Sequence, residues 1–179
     1  MLENKYHVIV LDPPWPYEPI NNTDHYMRRA SSPYPSQSIE EIQAMPIPAA
    51  DDCVMWLWTT HRFKRDAYRL LDAWGFDFKA ELVWDKEKMG MGNWLRMQCE
   101  FCLLAIKGNP VWNSHDVRDI IRSPRRQHSR KPDEFYEMVE RICHGARFEM
   151  YTRTKREGWD HLDVGIETEM FCNTEDKVA

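Results

Sequence analysis

The sequence predicts a single α/β domain with a mostly parallel, doubly wound β-sheet. Short apolar runs, typical of buried strands, alternate along the chain with segments whose apolar residues recur at helical spacing. Such alternation indicates strand-helix units, which place a layer of helices on each face of the sheet. The length of 179 residues suits one domain, and 42% hydrophobic residues is an ordinary content for one globular core.

Each predicted element has its own sequence signal. The run Val8-Ile9-Val10-Leu11 is apolar and mostly β-branched, as buried parallel strands are. Ser38 and Glu41 form the pattern of a capping box and predict a short helix that ends before Pro46. The remaining predictions are strands at 53–59, 79–84, 100–107 and 146–152, a helix at 62–74 closed by Gly75, a helix from Pro132 to Gly145, and a mobile active-site loop at 16–37.

The stretch Asp12-Pro13-Pro14-Trp15 follows the first strand, at the carboxyl end where ligands bind in open α/β sheets. Because proline has no N–H group, the carbonyl groups here form a rigid, acceptor-rich rim beside the Asp12 carboxylate, which suits an amino group. Trp15 offers a flat face to an aromatic ring. A ring with an exocyclic amine, adenine or cytosine, satisfies both demands. The alternative is a Pro-rich turn in which Asp12 caps a helix and Trp15 belongs to the core.

The formal net charge of −5 is unevenly distributed along the chain. Residues 157–179 hold seven acids against one lysine, whereas residues 118–131 hold six basic residues against one acid. We interpret the basic segment, residues 118–131, as a surface that lies along the phosphates of a nucleic acid. The alternative is an ordinary solvated charge run.

Several classes of protein are disfavoured by what the sequence lacks. The five cysteines are scattered, as reduced thiols are, and Cys99 and Cys102 lie in a predicted strand, which favours core thiols over a zinc site. No run approaches the roughly 18 apolar residues of a membrane span, and we expect a soluble, cytoplasmic protein. The absence of GxGxxG and GxxxxGK[ST] patterns disfavours a nicotinamide dehydrogenase and a P-loop NTPase.

The chain resembles the S-adenosylmethionine-dependent adenine N-6 methyltransferases that carry the Asp-Pro-Pro-Trp motif. That family includes the messenger-RNA adenosine methyltransferase of eukaryotes and short bacterial and phage DNA enzymes. The resemblance covers about residues 6–160. Besides the tetrapeptide, the ordered blocks are Pro33-Tyr34, Trp56-Leu57-Trp58, Trp74-Gly75-Phe76, Val83-Trp84-Asp85-Lys86, Gly90 to Trp94, Glu100 to Asn109, His128 to Asp133 and Arg153 to Trp159. It implies a Rossmann-like methyltransferase domain in circularly permuted order, with the catalytic motif first and the cofactor strand last.

The resemblance also implies roles for single residues. Asp12 and the Pro13 carbonyl would accept hydrogens from the adenine amine, with Pro14 in the same catalytic motif, and Trp15 would stack on the flipped base. The cofactor would be S-adenosylmethionine, with no metal. Its expected ligands are Lys131, near the methionine carboxylate, and Arg153, Lys155 and Arg156, along the ribose. Expected substrate-binding residues are Tyr17, Tyr34 and Trp58, for which core packing is the alternative. From the basic segment, and on the ground of its charge, we add Arg122, Arg125, Arg126, His128 and Arg130.

Three functional hypotheses follow. The preferred one is a DNA adenine N-6 methyltransferase, because the chain is compact and carries no added RNA-binding module. The second is an RNA adenosine methyltransferase with the same pocket, and the third is an inactive family member that acts as a binding subunit. We expect a catalytic domain over residues 1–167 and an acidic, disordered tail over 168–179, with a monomer and a homodimer both open. One departure from the family is Val164, which stands where many members have an amide side chain.

Overall fold

The computed structural model describes residues 5–17, 36–90, 94–125, 130–152 and 154–162. Within these ranges lie ten elements of secondary structure. The strands are β1 (Tyr6–Leu11), β2 (Ala49–Thr59), β3 (Asp77–Asp85), β4 (Cys99–Lys107), β5 (Ile120–Arg122), β6 (Arg147–Met150) and β7 (Asp160–Leu162), and the helices are α1 (Ile39–Gln43), α2 (Lys64–Ala73) and α3 (Asp133–Ile142).

The described strands form one sheet in the order β5-β3-β4-β2-β1-β6-β7. Strand β1 lies near the centre and runs parallel to both of its neighbours, β2 and β6. Only β4 runs in the opposite direction, antiparallel to β2 and β3, while β3–β5 and β6–β7 are parallel pairs. The prediction of a mostly parallel α/β sheet is confirmed. The first strand and the late strand β6 are direct neighbours, as the permuted order requires.

Alternating side chains of the sheet build a core on each face. On one face, Ile9 and Leu11 of β1 pack with helices α1 and α2. On the other, Val8 and Val10 pack with Phe135 and other residues of α3. This alternation follows from the two-residue period of a strand. The predicted arrangement of helices on both faces is therefore present, and the apolar run of β1 is buried because both of its faces are covered.

The helix ends follow the sequence signals closely. Ser38 caps α1, and its side chain and that of Glu41 form the reciprocal bonds of a capping box. Gly75 ends α2 with a φ of +73°, the left-handed conformation that glycine adopts without steric cost. At α3 the prediction was wrong by one residue, since Pro132 is extended and precedes the first helical residue.

Two short strands were not predicted, and two predicted segments cannot be compared. Strands β5 and β7 have three residues each, too few for periodicity to be read. The expected mobile loop at 16–37 falls largely on residues 18–35, and the expected tail is 168–179; both lie outside the described residues. Among the residues that are described, no helix is both long and apolar enough to cross a membrane.

Candidate active site

The candidate site lies at the sheet edge where the central parallel strands end. Leu11, the last residue of β1, is level with Leu57 of β2 and with Met150 of β6. Asp12 therefore leaves the sheet between the ends of two neighbouring strands. Ligands of open α/β sheets bind at such carboxyl ends, so the location agrees with the expected position of the motif.

The loop that follows Asp12 is fixed by its own backbone. The Pro13 carbonyl accepts a hydrogen bond from the N–H of Trp15 at 2.8 Å, and the Trp15 carbonyl accepts one from the N–H of Tyr17 at 2.8 Å. The Pro14 carbonyl accepts a further bond from the N–H of Gln37 at 3.0 Å. Since the prolines also restrict φ, the acceptor-rich rim predicted from the sequence is a rigid turn.

Trp15 does not present its ring as the sequence interpretation expected. The ring is 4% exposed and stacks on Phe63 with a centroid distance of 5.3 Å. Its Nε1 donates to the Trp58 carbonyl at 3.2 Å, which ties the loop to the end of β2. In the described structure this ring belongs to the core, which was the alternative, and it anchors the motif; the stacking of Trp15 on a base stays a prediction.

Lys131 joins two acids at the centre of the site. Its Nζ lies 3.0 Å from Asp12 Oδ2 and 3.0 Å from Glu100 Oε2. Lys86 contacts the other oxygen of Glu100 at 3.1 Å. We call this alternating series Asp12, Lys131, Glu100 and Lys86 the charge chain. It assembles here because the antiparallel strand β4, which carries Glu100, begins at the edge where β1 and β3 end.

Burial and the neighbouring charges shift the pKa values of Glu100 and Lys131 in the charge chain. Burial alone would raise the pKa of Glu100, but Lys131 and Lys86 outweigh it and hold this pKa at about 2. Burial alone would lower the pKa of Lys131, and Asp12 and Glu100 outweigh it and hold this pKa above the usual value. Lys131 is only 9% exposed, yet it stays charged because a carboxylate lies on either side.

Trp58 is also in a different position from the one expected. Its side chain is fully buried, packed edge-on against Trp84 and Phe135, with Lys131 Nζ 4.8 Å from its ring centroid. Trp58 thus has the packing role that was the alternative, and its contact with a substrate stays a prediction. The ring forms an apolar floor under the charge chain, and its π face stabilises the ammonium group above it.

A second cluster of polar groups lies at the end of β6. The Tyr136 hydroxyl donates to the buried Glu149 carboxylate, and the Arg156 guanidinium lies 3.9 Å from the Tyr136 ring centroid. Arg156 also pairs with Asp133 at 3.2 Å. Burial raises the pKa of Glu149 to about 7, against the opposing effect of the hydrogen bonds from Tyr136 and Thr152. This cluster, Glu149, Tyr136, Arg156 and Asp133, is called the β6 cluster below.

Tyr151 connects the β6 end to the motif loop. It is a residue other than glycine with a positive φ, +64°, a conformation that costs energy and is found at ligand sites. Its hydroxyl donates to the side chain of Gln37, whose backbone N–H bonds the Pro14 carbonyl. The loops after β1 and β6 are thus linked through Gln37.

The other predicted site residues are half-buried or exposed, or are not described. Tyr17 is half-buried and hydrogen-bonded to Thr60 at 3.1 Å. Arg122 is exposed, 3.9 Å from Asp85, and Arg130 pairs with Asp133 at 3.3 Å. Arg125 and Lys155 are exposed. The residues that lie outside the described ranges are Tyr34, Arg126, His128 and Arg153.

Sequence reasoning missed seven residues of this region, namely Gln37, Lys86, Glu100, Asp133, Tyr136, Glu149 and Tyr151. Glu100 and Glu149 could have been found, because each is a charged residue inside a run that is otherwise apolar. Lys86 and Gln37 carried no such signal. In the described part of the chain, no group of three His, Cys, Asp or Glu residues is arranged to hold a metal ion.

Comparisons with known proteins identify the family. The MT-A70 family profile matches residues 6–165. The type II methyltransferase M.MunI of a Mycoplasma species is 30% identical over 182 residues, 90% of this chain and 78% of that protein. The N(6)-adenosine-methyltransferase MT-A70-like protein of Arabidopsis thaliana is 32% identical, and the N(6)-adenosine-methyltransferase catalytic subunit METTL3 of Homo sapiens is 33% identical.

The extent of these matches differs. The alignments cover 86% and 80% of this chain for the Arabidopsis and human proteins, but only 23% and 24% of those longer proteins. The family profile, in contrast, runs from β1 through β7 and includes the Asp12 motif, the charge chain and the β6 cluster. Since it spans nearly the whole chain, this protein belongs to the MT-A70 family of methyltransferases.

Proposed function

We propose that this protein transfers a methyl group from S-adenosylmethionine to the exocyclic N-6 amine of adenine in DNA. The observation that carries the proposal is the Asp12 carboxylate, held at the carboxyl end of β1 by the buried Lys131 ammonium at 3.0 Å. A carboxylate fixed in this way, beside a rim of carbonyl groups, is a suitable acceptor for the two hydrogens of an aromatic amine.

Asp12 acts on the nitrogen that is methylated. The adenine amine is a weak nucleophile because its lone pair is delocalised into the ring. An acceptor that holds an amine hydrogen favours the tetrahedral nitrogen of the transition state over the planar ground state. The Pro13 carbonyl can assist, because it accepts one bond from Trp15 and a carbonyl oxygen has two lone pairs. As the new N–C bond forms, the bond between the methyl group and the sulfonium sulfur breaks, S-adenosylhomocysteine is the leaving group, and the proton that the amine loses passes to water.

S-adenosylmethionine supplies the methyl group already activated on a sulfonium centre, so the protein contributes binding and alignment. The described residues suit this molecule. An ammonium group has three N–H donors, and after Asp12 and Glu100 the Lys131 group has one left for the methionine carboxylate. Glu149, at the end of the strand next to β1, suits a hydroxyl or amino donor. Lys155, Arg156 and Arg153 remain proposed contacts of the ribose.

The substrate base would lie beside the motif loop. Because the rings of Trp15 and Trp58 are buried, Tyr17 is the described aromatic residue next to the motif that we propose to contact the base. Tyr34 stays a proposal of the same kind. A base inside a duplex must be flipped out of the stack to reach such a site, whereas a single strand needs no flipping.

Two kinds of relative favour two different nucleic acids. The chain spans 78% of the type II methyltransferase but about a quarter of the eukaryotic adenosine methyltransferases. Type II methyltransferases modify DNA, and the protein of comparable length is the better guide to the whole reaction. RNA is the second candidate, favoured by the 33% identity with the human catalytic subunit. The oligomeric state is open between a monomer and a homodimer.

One assay tests the proposal. The protein is incubated with methyl-labelled S-adenosylmethionine and mixed-sequence oligomers of single-stranded DNA, duplex DNA or RNA, which are then digested to nucleosides. We expect label in N6-methyldeoxyadenosine, and a loss of about 100-fold or more in the single-turnover rate of Asp12→Asn, as for other groups that act in the transition state. Cofactor affinity of the variant, measured by calorimetry, is the control.

Each other outcome has a definite meaning. Label in RNA alone would replace DNA by the second candidate. Absence of label from every oligomer, with the cofactor still bound, would identify a binding subunit. A folded Asp12→Asn variant that methylates at the wild-type rate would contradict the role of this carboxylate.

A further inference from the structure

The loop between β3 and β4, residues 86–98, presents large apolar side chains to solvent. Trp94 is 98% exposed and Leu95 is 76% exposed, and Met89, on the other arm of the loop, is 68% exposed. Single exposed apolar residues are common on protein surfaces. A fully exposed tryptophan in the same loop as an exposed leucine and an exposed methionine indicates a binding surface.

The described arms of this loop are held together close to its tip. The Lys86 N–H donates to the Gln98 carbonyl at 3.2 Å, and the Gly90 N–H donates to the Met97 carbonyl at 2.9 Å. At the root, Asp85 Oδ1 accepts from Gln98 Nε2 at 2.6 Å and from the Glu87 N–H at 2.9 Å. The described arms of the loop, called the hairpin here, are therefore joined next to the residues that bear the exposed side chains.

The hairpin lies at the same end of the strands as the candidate active site, namely the carboxyl end of β1 and β3. Lys86, at its root, is the outer member of the charge chain that ends at Asp12. On its other side, Arg122 of β5 pairs in register with Asp85, and Arg125 follows that strand. The exposed charged residues here are mostly basic, with Lys88 and Arg96 against Glu87 on the hairpin, and with Arg122 and Arg125 in and after β5.

We infer that Trp94 and Leu95 stack against bases of the nucleic acid next to the nucleotide that enters the active site. This inference rests on the proposed function. A nucleic-acid partner is favoured over a protein surface because the exposed charged side chains here are mostly basic, which complements phosphates, and because the patch adjoins the edge where the base must arrive. Aromatic stacking does not depend on the identity of the base, and in a duplex the ring would fill the gap left by the flipped nucleotide.

The test compares Trp94→Ala with Trp94→Phe and with Val111→Ala. Val111 is 63% exposed and follows the far end of the antiparallel strand β4, at the opposite edge of the sheet. The probe is a fluorescein-labelled, mixed-sequence 30-base DNA, single-stranded or duplex. Loss of one stacked base should weaken binding by about 5- to 100-fold in Trp94→Ala. Trp94→Phe should keep most of the DNA affinity, and Val111→Ala should bind DNA as tightly as the wild-type protein does.

Three further measurements distinguish base stacking from other effects of the substitution. The KM for DNA should rise in Trp94→Ala while the cofactor dissociation constant stays unchanged. Sedimentation should give the same oligomeric state for all variants. Unchanged DNA affinity in Trp94→Ala would overturn the inference, and so would conversion of a dimer to a monomer, which would make the hairpin a contact between two copies of the chain.

The proposed function can fail separately. If the wild-type protein binds DNA through Trp94 but methylates no oligomer, the result supports base stacking by Trp94 and contradicts the proposed reaction. If the wild-type protein methylates DNA, and Trp94→Ala does so with the same KM and the same DNA affinity, the result supports the reaction and contradicts base stacking by Trp94. A wild type that binds no DNA or RNA overturns both.

Discussion

Lys131 places one positive charge between the carboxylates of Asp12 and Glu100, where water has little access. Buried ion pairs give little net stability compared with apolar packing, but removing one member leaves the other charges uncompensated. Without Lys131, two carboxylates would be close together in a partly dry environment. The residue is therefore expected to matter for folding as well as for cofactor binding.

The change Lys131→Met tests this arrangement. We expect a loss of about 3–5 kcal/mol in the free energy of unfolding at pH 7. The pKa of Glu100 is lowered to about 2, so its contribution is present above pH 4.5 and is lost as the pH falls toward 2. The variant, in which Glu100 protonates earlier, should therefore approach wild type as the pH is lowered below about 4.5. Urea unfolding at pH 7 and at about pH 3 measures the free energy of unfolding of both proteins inside and outside this window.

A matched control is Lys155→Met, which removes an exposed lysine near the same edge. It should change stability by less than about 0.5 kcal/mol. An equal loss for Lys131→Met at both pH values would contradict the electrostatic explanation and would indicate a packing defect instead.

The contribution of Glu149 to stability depends on pH in the direction opposite to that of Glu100. Its folded pKa is about 7, above the ordinary 4.5, so the stability linked to its proton is full below pH 4.5 and is lost as the pH rises through 7. Glu149→Gln stays neutral and still accepts the bond from Tyr136. We expect the variant to be more stable than wild type at pH 8, by up to about 3 kcal/mol, and nearly equal to it at pH 4.5. Thermal melts without cofactor at these two pH values check this, and a difference that does not depend on pH would exclude it.

Among the elements, β5 gives Arg122, within the basic segment, a fixed place. Ile120, Ile121 and Arg122 pair with the end of β3, so Arg122 and the following Arg125 are carried along one edge of the sheet. An edge strand with exposed arginines also resists unwanted pairing with other chains. A phosphate backbone running along this edge would reach the hairpin that bears Trp94.

Replacing Arg122 and Arg125 together by glutamine should weaken DNA binding uniformly across sequences. If each contacts one phosphate, the slope of log affinity against log salt should fall by about 0.9 per arginine. Arg69→Gln on α2, also exposed, is the control and should leave the slope unchanged. Filter binding between 50 and 300 mM salt, about the range over which such slopes are measured, gives the answer. A wild-type slope in the double variant would leave the segment as solvated surface.

The elements differ in how far the sequence alone predicts them. Helix α1 was predicted because the Ser38 and Glu41 signals act within one turn, and β1 because its apolar run is continuous. The direction of β4 was not predicted, since the loop 86–98 carries no pattern that distinguishes a hairpin from a crossover. That direction brings Glu100 to Lys131, so the charge chain could not be predicted either.

At the scale of the whole molecule, the site depends on contacts between residues far apart in sequence. Glu100 and Lys131 are 31 residues apart, and Tyr151 and Gln37 are 114 apart. The motif itself was recognisable, because its chemistry is local. The burial of Trp15 was not, because it depends on Phe63, which reaches the loop only when β2 and α2 pack against it. Signals within a few residues predict individual helices and strands. Contacts between residues of different elements could be identified only from the structure.

The central position of β1 also governs how the molecule opens. Val8, Ile9 and Val10 are fully buried and hydrogen-bonded on both sides, so their amides should exchange with deuterium only when the whole domain unfolds. The three-residue strands β5 and β7 at the sheet edges should exchange far sooner through local opening. Peptide-level mass spectrometry of deuterium uptake would show this gradient, and equal rates would refute it. Asp12 is thus attached to the segment that opens last, while the short strands at both sides of the sheet open first and leave its position unchanged.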